Sequence, residues 1–541
     1  MSITALTLNT DPQQAIDSIN GHVHEGGLGE QIGSGGIQDG AITAGKLADL
    51  CVAGENIINQ AIGASKLTTE LINLINSGGS GGAGAPGYFR RDIPFAQSTA
   101  AKIVTPNRLW LNIGSSGYAL EAQQTFDVNT EAAWDTKATA WQPNTAYAVN
   151  DCVIPQTPNG YIYRCTTAGT SSGLTPTFPA TLGQTYNDGN VVWICQLDYA
   201  YTPTVGTRAA STAYAAGALV RPGTINGYVY KCTTPGTSAA TAPTFPTTPG
   251  STVTDGTVVW TCQVGHNRAG KDFYIYACQP TSGIVPVIVL SDNSTVPLRY
   301  SSLTSRKVGG FHCLCADVGT ISGHTLTDYM AGDILPASVW DLNNRPVSAP
   351  EGMVYDANTD TWVDIYLASV QSGKLGSVYN AATADGASSP VAFHWYNGND
   401  WMTKVKKDLL TQRVFVSASL GSNQGTNILG SADPNTTGGH RDTAGRRMIS
   451  NLGCEDMCGA LWQWGSEPGG GNTGAAWANA YDTNDTGVAG QHYQAPCRAI
   501  LGGKWTNGAN CGSRGSNWNN APLYLNADCG LRGCAEPVRG A

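Results

Sequence analysis

The chain has 541 residues, a formal net charge of −9, and only 13% charged residues against 41% hydrophobic ones. This length predicts several domains, and the hydrophobic fraction is large enough for each of them to have a core. The negative charge argues against a nucleic-acid partner, because proteins that bind nucleic acids neutralise phosphates with a basic surface. Low charge together with 67 Gly and 14 Trp indicates β-rich, turn-rich domains with polar surfaces.

The first residues carry no recognisable targeting signal. The segment 1–14 has neither a basic start nor an apolar stretch, so no signal peptide is predicted. No run of about 18 apolar residues is present, so no membrane insertion is predicted. We therefore expect synthesis in the cytoplasm.

Residues 1–88 are predicted to form an N-terminal stem and attachment segment. The heptapeptide at 41–47 recurs in degenerate form at 61–67. Each unit has too few apolar residues to fold alone. Such units become stable when several chains intertwine, so an oligomeric stem is favoured over a flexible tail.

His22 and His24 lie in this stem and share one face if the segment is a strand. Around a threefold axis, three such pairs supply six imidazoles, which suit one octahedral divalent metal. The alternative is an ordinary polar turn. No other cofactor is expected.

Residues 141–266 contain two copies of one small module, offset by 67 residues without a gap. The alternating pattern predicts β-strands. Aromatic residues and cysteines recur at matched positions: Tyr147/Tyr214, Tyr161/Tyr228, Tyr163/Tyr230, Trp193/Trp260, Cys165/Cys232 and Cys195/Cys262. The aromatic rings are either the core that so small a unit needs or a sugar-binding face. The two cysteines of each module are candidates for a bridge between adjacent strands.

Residues 89–140 and 267–345 flank the modules, and both alternate as strands do. The simplest prediction is one β-sandwich that the two modules interrupt. Residues 346–541 then form the last domain.

Several motifs resemble the major tropism determinant family, and they occur in the family's order. They are DFYIYAC (272–278), TSRKVGGFH (304–312), SVWDLNNRP (338–346), GALWQWGSEPGG (459–470), QAPCRAILGGKW (494–505) and CGLRG (529–533). The resemblance covers about residues 267–541, with weaker similarity at 89–130. The tandem modules are an insertion that the family's best-known form lacks.

The resemblance implies a receptor-binding protein at the tip of a phage tail fibre, located in the virion. It implies an obligate homotrimer with a mostly β, multidomain fold. The parts would be an intertwined trimeric stem, a β-sandwich carrying the two β-modules, and a C-terminal C-type-lectin fold. That α+β fold is the version shared with formylglycine-generating enzymes. The implied partners are other tail-fibre or baseplate proteins, bound through the stem, and a host outer-surface protein or glycan.

Residues 504–529 contain six Asn in 26 positions. Asn is a poor helix and strand former, so this segment is predicted to be irregular and displayed at the surface. Asn and Tyr are typical of binding surfaces that combine adaptable hydrogen bonds with rigid rings. A plain Asn-rich loop is the alternative.

In the family that the chain resembles, a retroelement diversifies one lectin face by substitutions at adenines of Asn codons. The resemblance places the variable, receptor-contacting positions at Lys504, Thr506, Asn507, Gly508, Asn510, Asn517, Asn519, Asn520, Tyr524, Asn526, Asp528 and Cys529. Eleven of these twelve residues are products that such substitutions allow, and Lys504 is not. Whether Lys504 is diversified therefore stays open. The residues between them are interpreted as scaffold: Trp505, Arg514, Trp518, Pro522, Gly530 and Arg532.

Three other functions fit the sequence less well. Catalysis is not predicted, because the catalytic cysteine pair of formylglycine-generating enzymes would fall near Asn507 and Gly512, and neither residue is a cysteine. A calcium-dependent lectin is disfavoured, because Glu467-Pro468 is followed by Gly and not by Asn. A purely structural fibre gives no reason for an Asn-rich face. The main alternative is a fixed-specificity, carbohydrate-binding tail-fibre protein that uses the aromatic repeats at 141–266.

Overall fold

The structure is a computed structural model that describes residues 89–538, apart from residues 92–94, 106–108, 121, 204, 224–227, 247–249, 473, 475–476 and 482–487. The chain is mostly β, with 39% strand and 6% helix, which confirms the predicted class. The predicted stem at 1–88, with His22 and His24, lies outside the described residues. None of the described helices is long and apolar enough to cross a bilayer.

The segment before the modules forms short strands because its apolar residues alternate with polar ones. In β4, for example, Leu109, Leu111 and Ile113 are buried, and the two residues between them are half-exposed. The strands are β1 (Phe89–Arg91), β2 (Ala96–Thr99), β3 (Lys102–Val104), β4 (Leu109–Ile113), β5 (Ser116–Leu120) and β6 (Thr125–Asp127). They pair in the orders β1-β4-β5 and β2-β3-β6.

Each module consists of a five-stranded sheet and a two-stranded ribbon. The first comprises β7 (Thr139–Ala140), β8 (Ala146–Tyr147), β9 (Cys152–Ile154), β10 (Tyr161–Thr167), β11 (Gly169–Thr170), β12 (Thr185–Asp188) and β13 (Val191–Leu197). The second comprises β14 (Gly206–Thr207), β15 (Ala213–Tyr214), β16 (Leu219–Arg221), β17 (Tyr228–Thr234), β18 (Gly236–Thr237), β19 (Thr252–Asp255) and β20 (Val258–Val264). The β10–β13 and β17–β20 ladders have the same register, shifted by 67 residues.

The aromatic residues of the modules form their cores. Tyr163, Trp193, Tyr230 and Trp260 are each fully buried. Trp193 packs edge-on against Tyr147 with ring centroids 4.9 Å apart, and Trp260 packs in the same way against its own neighbouring tyrosine. These buried ring faces are not available to stack on a sugar, so the core interpretation of the repeats holds.

The cysteines of the modules are free thiols. In the first module Cys165 lies opposite Trp193, and Cys195 lies opposite Tyr163. The two cysteines are therefore diagonal neighbours and not a directly opposed pair. The same register in the second module leaves its two cysteines free as well.

One buried carboxylate organises each module. Asp188 Oδ2 accepts the indole N–H groups of Trp141, at 2.8 Å, and of Trp193, at 3.2 Å. In the second module Arg208 occupies the position of Trp141, and its Nη2 lies 2.7 Å from Asp255 Oδ1. Burial raises the pKa of both carboxyl groups, but the hydrogen bonds that they accept outweigh it and lower each pKa.

The chain then returns to the sandwich through β21 (Asp272–Cys278), β22 (Val287–Ser291), β23 (Ser305–His312) and β24 (Trp340–Asp341), in the order β22-β21-β23-β24. Residues from both flanks share one hydrophobic core. Trp134, for example, packs edge-on against Phe273 at 5.0 Å between ring centroids. Gly309 and Gly310 lie at the crowded centre of this sheet, where an added Cβ would come within 2.6 Å of a backbone oxygen.

The C-terminal domain contains helices α1 (Trp395–Lys404) and α2 (Gln412–Ala418). Its strands are β25 (Met353–Asp356), β26 (Thr361–Asp364), β27 (Ala368–Gln371), β28 (Lys374–Ser377), β29 (Asp408–Leu409), β30 (Trp462–Asn472), β31 (Trp477–Tyr481), β32 (Val488–Tyr493), β33 (Pro496–Leu501), β34 (Ser516–Asn520), β35 (Cys529–Gly530) and β36 (Gly533–Ala535). Its two larger sheets have the orders β25-β26-β36-β29 and β34-β33-β30-β35.

A fully buried arginine connects three parts of this domain. Arg532 Nε donates to Gln463 Oε1 at 2.8 Å. Its Nη1 donates to the carbonyl oxygens of Asp364 and Ile365 at 2.8 and 2.7 Å, and its Nη2 donates to that of Glu455 at 2.6 Å. Glu455 in turn holds the buried Arg447. This polar network fixes the frame that supports the predicted binding residues.

Candidate functional site

The loop 502–515 between β33 and β34 carries the first group of predicted site residues. Gly502 and Gly503 open it with φ angles of +93° and +89°, a conformation that glycine adopts without strain. A Cβ on Gly503 would lie 2.8 Å from Cys511 Sγ. The path of this loop is therefore fixed by its two glycines and not by the side chains that it displays.

Within this loop, the predicted positions are exposed to different extents. Thr506 and Asn510 are exposed, and Lys504, Asn507 and Gly508 are half-buried. Asn507 closes a local turn, because its Oδ1 accepts the backbone N–H of Lys504 at 2.9 Å. Asn507 therefore combines a structural bond with partial display.

Strand β34 carries the second group. It is the edge strand of its sheet, and its alternation exposes Asn517 and Asn519 while Trp518 turns back to pack on the core. Asn520 is half-buried. The strand period thus separates displayed amides from the supporting indole, as expected for a half-buried strand.

The loop 521–528 carries the third group. Tyr524 is 37% exposed, and its hydroxyl accepts a hydrogen bond from Asn526 Nδ2 at 2.8 Å. Asn526 is exposed as well. Between them Leu525 is 49% exposed, a residue that the sequence analysis did not select. The position of Leu525 between Tyr524 and Asn526, two predicted variable residues, was the signal in the sequence that its side chain is displayed.

A charge pair joins the first and third groups. Lys504 Nζ lies 2.7 Å from Asp528 Oδ2. The hydrogen bond to Asp528 raises the pKa of Lys504. Asp528 is almost fully buried, and its Oδ1 has no hydrogen-bond partner among the described residues. Asp528 therefore acts on the surface only through Lys504, which is still partly exposed.

Cys529 requires a correction. It lies on β35 with no exposed surface, in a core cluster with Trp464 and Leu531. A fully buried side chain cannot contact a receptor, so the structure removes Cys529 from the displayed set. Its neighbour Asp528 is buried for the same reason, since the chain turns inward there to begin β35.

The structure brings the predicted residues together in two places. The Lys504–Asp528 pair links the loop 502–515 to the loop with Tyr524 and Asn526. The β34 residues lie at the edge of the sheet opposite β35. Within the described residues, no hydrogen bond or ion pair connects the displayed side chains of β34 to the other group.

The predicted scaffold residues are buried in part. Pro522, Gly530 and Arg532 are buried, and Trp505 and Trp518 are half-buried against core clusters. Arg514 is exposed, in contrast to the prediction. It lies in the same loop as the exposed Thr506 and Asn510, so its side chain is accessible at this surface.

Sequence reasoning missed a pair of exposed aromatic rings. Trp477 on β31 and Tyr493 on β32 are 69% and 48% exposed, and their rings contact each other in a tilted arrangement with centroids 5.6 Å apart. They lie opposite each other in a two-stranded hairpin. The polar turn segment between two short aromatic-containing runs was the available signal.

Cys511, Cys534 and Glu467, the candidates for catalysis or calcium binding, lie in surroundings that indicate structural roles. Burial raises the pKa of Cys511 to about 11 and that of Cys534 to about 12, which makes both thiols poor nucleophiles at neutral pH. Glu467 Oε2 accepts the backbone N–H of Gln412 at 2.7 Å, at the start of α2. A carboxylate at a helix N-terminus is a common stabilising arrangement.

A β protein that displays amide, hydroxyl and tyrosine groups above a buried polar frame belongs to the class of binding proteins. The Mtd second domain family matches residues 251–341, a range that begins inside the second module. A curated relative, the tail fiber receptor-binding protein of Bordetella phage BPP-1, is 32% identical over 291 residues, which are 50% of this chain and 71% of that protein. The chain belongs to this family, the major tropism determinants.

Solved structures of the family are also similar to the chain. The Major Tropism Determinant U1 variant is 25% identical, with a TM-score of 0.44, over 74% of this chain and 99% of the variant. The M1 variant is 26% identical, with a TM-score of 0.44, over 68% of this chain and 97% of the variant.

Proposed function

We propose that this protein is a receptor-binding protein at the tip of a phage tail fibre and attaches the virion to a receptor on the host surface. Its curated relative is a tail-fibre receptor-binding protein. The relevant surface is the lectin-like face formed by the loop 502–515, strand β34 and the loop 521–528. The action is binding and not turnover.

The observation that carries this proposal is the separation of displayed side chains from supporting ones. Thr506, Asn510, Asn517, Asn519, Tyr524 and Asn526 are exposed. Beneath them, the frame of Trp464, Gln463 and Arg532 is buried. Side chains of the first kind can change with little effect on folding, because they contribute little to the core.

We further propose that the protein acts as a homotrimer that attaches to other tail-fibre or baseplate proteins through residues 1–88. Small polar contacts contribute little binding free energy each. Several faces held on one particle raise the effective concentration of the second and later contacts, so that weak single sites give firm attachment. The host ligand is an outer-surface protein or a glycan.

The first test is adsorption of phage that carry Tyr524→Ala. Tyr524 is the only tyrosine in the predicted face, and rigid aromatic anchors commonly dominate binding energy. We expect adsorption to host cells to fall about tenfold or more, with the melting temperature of the purified protein changed by no more than about 1 °C. Residual free phage after mixing with host cells gives the adsorption rate.

Tyr493→Ala is the matched control, because Tyr493 is an exposed tyrosine outside residues 504–529. It should leave adsorption unchanged. Unchanged adsorption of the Tyr524→Ala phage would place the binding surface elsewhere, and an equal loss with Tyr493→Ala would show that the effect is not specific to the proposed face. Unfolding of the Tyr524→Ala protein would show that the division between face and frame is wrong.

The proposed diversification of the face has its own test. Phage propagated on altered hosts are sequenced across the codons for residues 504–529. We expect substitutions at Asn-type codons such as those of Asn517, Asn519 and Asn526, with Trp505 and Trp518 unchanged. An invariant segment would identify a fixed-specificity protein. We expect no substitution at Cys529, because it is buried in the core.

The alternative of carbohydrate binding through the fully buried rings of the repeats has little support. It needs accessible ring faces, and the repeated Tyr163/Tyr230 and Trp193/Trp260 rings are buried in the module cores.

A further inference from the structure

The two modules present the same sheet face to two different cavities. One cavity, of about 470 Å³, lies against the sandwich, and the other, of about 420 Å³, lies between the two modules. Four pairs of equivalent residues line the two cavities, with the first residue of each pair in the cavity against the sandwich and the second in the cavity between the modules. These pairs are Asn150/Gly217, Ile162/Val229, Arg164/Lys231 and Gln196/Gln263. The repeat therefore allows a residue-by-residue comparison of the side-chain partners in the two cavities.

In the first module the cation of this face has two amide acceptors. Arg164 Nε donates to Gln196 Oε1 at 3.2 Å, and its Nη1 donates to Asn150 Oδ1 at 3.0 Å. The carboxylates of Asp135 and Asp292 line the same cavity. Its positive charge thus has amide acceptors and acidic neighbours from the protein itself.

In the second module these partners are missing from the described residues. Gly217 stands in place of Asn150, so no amide lies at that position. The side chains of Lys231 and Gln263 form no hydrogen bond with any described residue. No Asp or Glu is among the described residues that line this cavity. The Lys231 ammonium group and the Gln263 amide, which have no side-chain partner among the described residues, therefore line a space large enough for a small ligand.

A buried histidine also lines the cavity. His266 is 7% exposed and lines the cavity. Its Nδ1 accepts the backbone N–H of Arg268 at 3.2 Å, so the ring proton is on Nε2. That Nε2 is buried, with less than 1 Å² of accessible surface, and has no hydrogen-bond partner among the described residues. Burial, with a smaller contribution from Arg268, lowers the pKa of His266 to about 3, so the ring is neutral at pH 7.

Two half-buried tyrosines complete the wall of the cavity. Tyr161 and Tyr201 line the cavity. Asn267 holds the wall in place, because its Nδ2 donates to the carbonyl oxygens of Gly160 at 2.7 Å and Asp198 at 2.8 Å. The cavity thus combines aromatic surface, neutral donors and one cation on a pre-formed support.

We propose that the cavity between the modules binds a carboxylate-bearing sugar unit. The carboxylate would pair with Lys231, sugar hydroxyl groups would bond to the Gln263 amide, and the ring would lie against Tyr161 and Tyr201. A charge-assisted hydrogen bond to the ammonium supplies the strongest single contact. This site does not use the buried core rings of the modules, and it is separate from the lectin-like face.

The test uses the full-length protein and isothermal titration calorimetry with trigalacturonate and sialyllactose as probes. The fully methyl-esterified trigalacturonate and lactose serve as their uncharged counterparts. We expect at least one acidic probe to bind, and its uncharged counterpart to bind about tenfold more weakly or not at all. Absence of binding by both acidic probes, or equal binding of the neutral ones, would overturn the proposal.

Two substitutions locate the site. Lys231→Met should weaken binding of the acidic probe about tenfold, and Tyr201→Ala should weaken it independently of charge. Arg164→Met is the matched control, because it changes the equivalent position of the first module and should leave binding unchanged. Equal effects of the two cation variants, or none from Lys231→Met, would overturn the assignment. Tyr524→Ala should not alter probe binding, so failure here is distinguishable from failure of the proposed lectin-like face.

Discussion

Replacement of Arg532 by Met should destabilise the C-terminal domain by about 3–5 kcal/mol, because four buried acceptors lose their donor at once. The acceptors are the side-chain oxygen of Gln463 and three backbone carbonyl oxygens. Methionine fills much of the space but donates no hydrogen bond. For a domain of this size the melting temperature should fall by about 10 °C, which differential scanning calorimetry of the full-length protein measures.

Arg514→Met is the matched control for this prediction. Arg514 belongs to the same segment but is exposed, so its replacement should change the stability by no more than about 0.5 kcal/mol. Equal stability of the two variants would show that the buried network around Arg532 does not support the domain. Loss of adsorption by Arg514→Met without loss of stability would instead place this arginine in the binding face.

Replacement of Trp260 by Ala should unfold the second module locally. Trp260 is fully buried, donates its indole N–H to Asp255 at 2.9 Å and packs edge-on against Tyr214. Truncation of a core tryptophan typically costs about 3–5 kcal/mol, a large share of the stability of so small a unit. Hydrogen exchange followed by mass spectrometry should show loss of protection in β16, β17, β19 and β20.

The control for this variant is Trp477→Ala, since Trp477 is 69% exposed and should leave exchange in the modules unchanged. If Trp260→Ala kept the protection of the second module, the aromatic residues would not be its core, and their use as a ligand face would return as an explanation. If the exchange of the first module rose as well, the two modules would fold as one cooperative unit.

The parts of the fold that follow a local period were predictable from the sequence. The 67-residue repeat gave two modules with one register, because every strand of the first has its counterpart at a fixed offset. On β34 the alternation of Asn517, Trp518 and Asn519 predicted which side chains are displayed and which one packs inward. In both places the information lies within a few residues of the position concerned.

The parts that depend on distant partners were not predictable. Asp528 follows a run of displayed residues, yet it is buried where the chain turns inward to begin β35, and its charge partner is Lys504, 24 residues earlier. Cys529 begins β35, whose parallel pairing with Trp462 and Gln463 draws it into the core. The cavity lined by Tyr161 and Lys231 depends on residues from both modules. Spacing along one chain carries no signal for contacts of this kind.

The pairing of β26 with β36 has a consequence for synthesis. Val363 lies opposite Cys534, so a strand near the start of the C-terminal domain is completed by one near residue 535. Translation has to pass β36 before the sheet can close, although all the codons of the displayed face have by then been read. A chain interrupted after residue 529 would therefore carry every displayed side chain without a rigid frame, and the cell's proteases would meet an open domain in place of a competent adhesin.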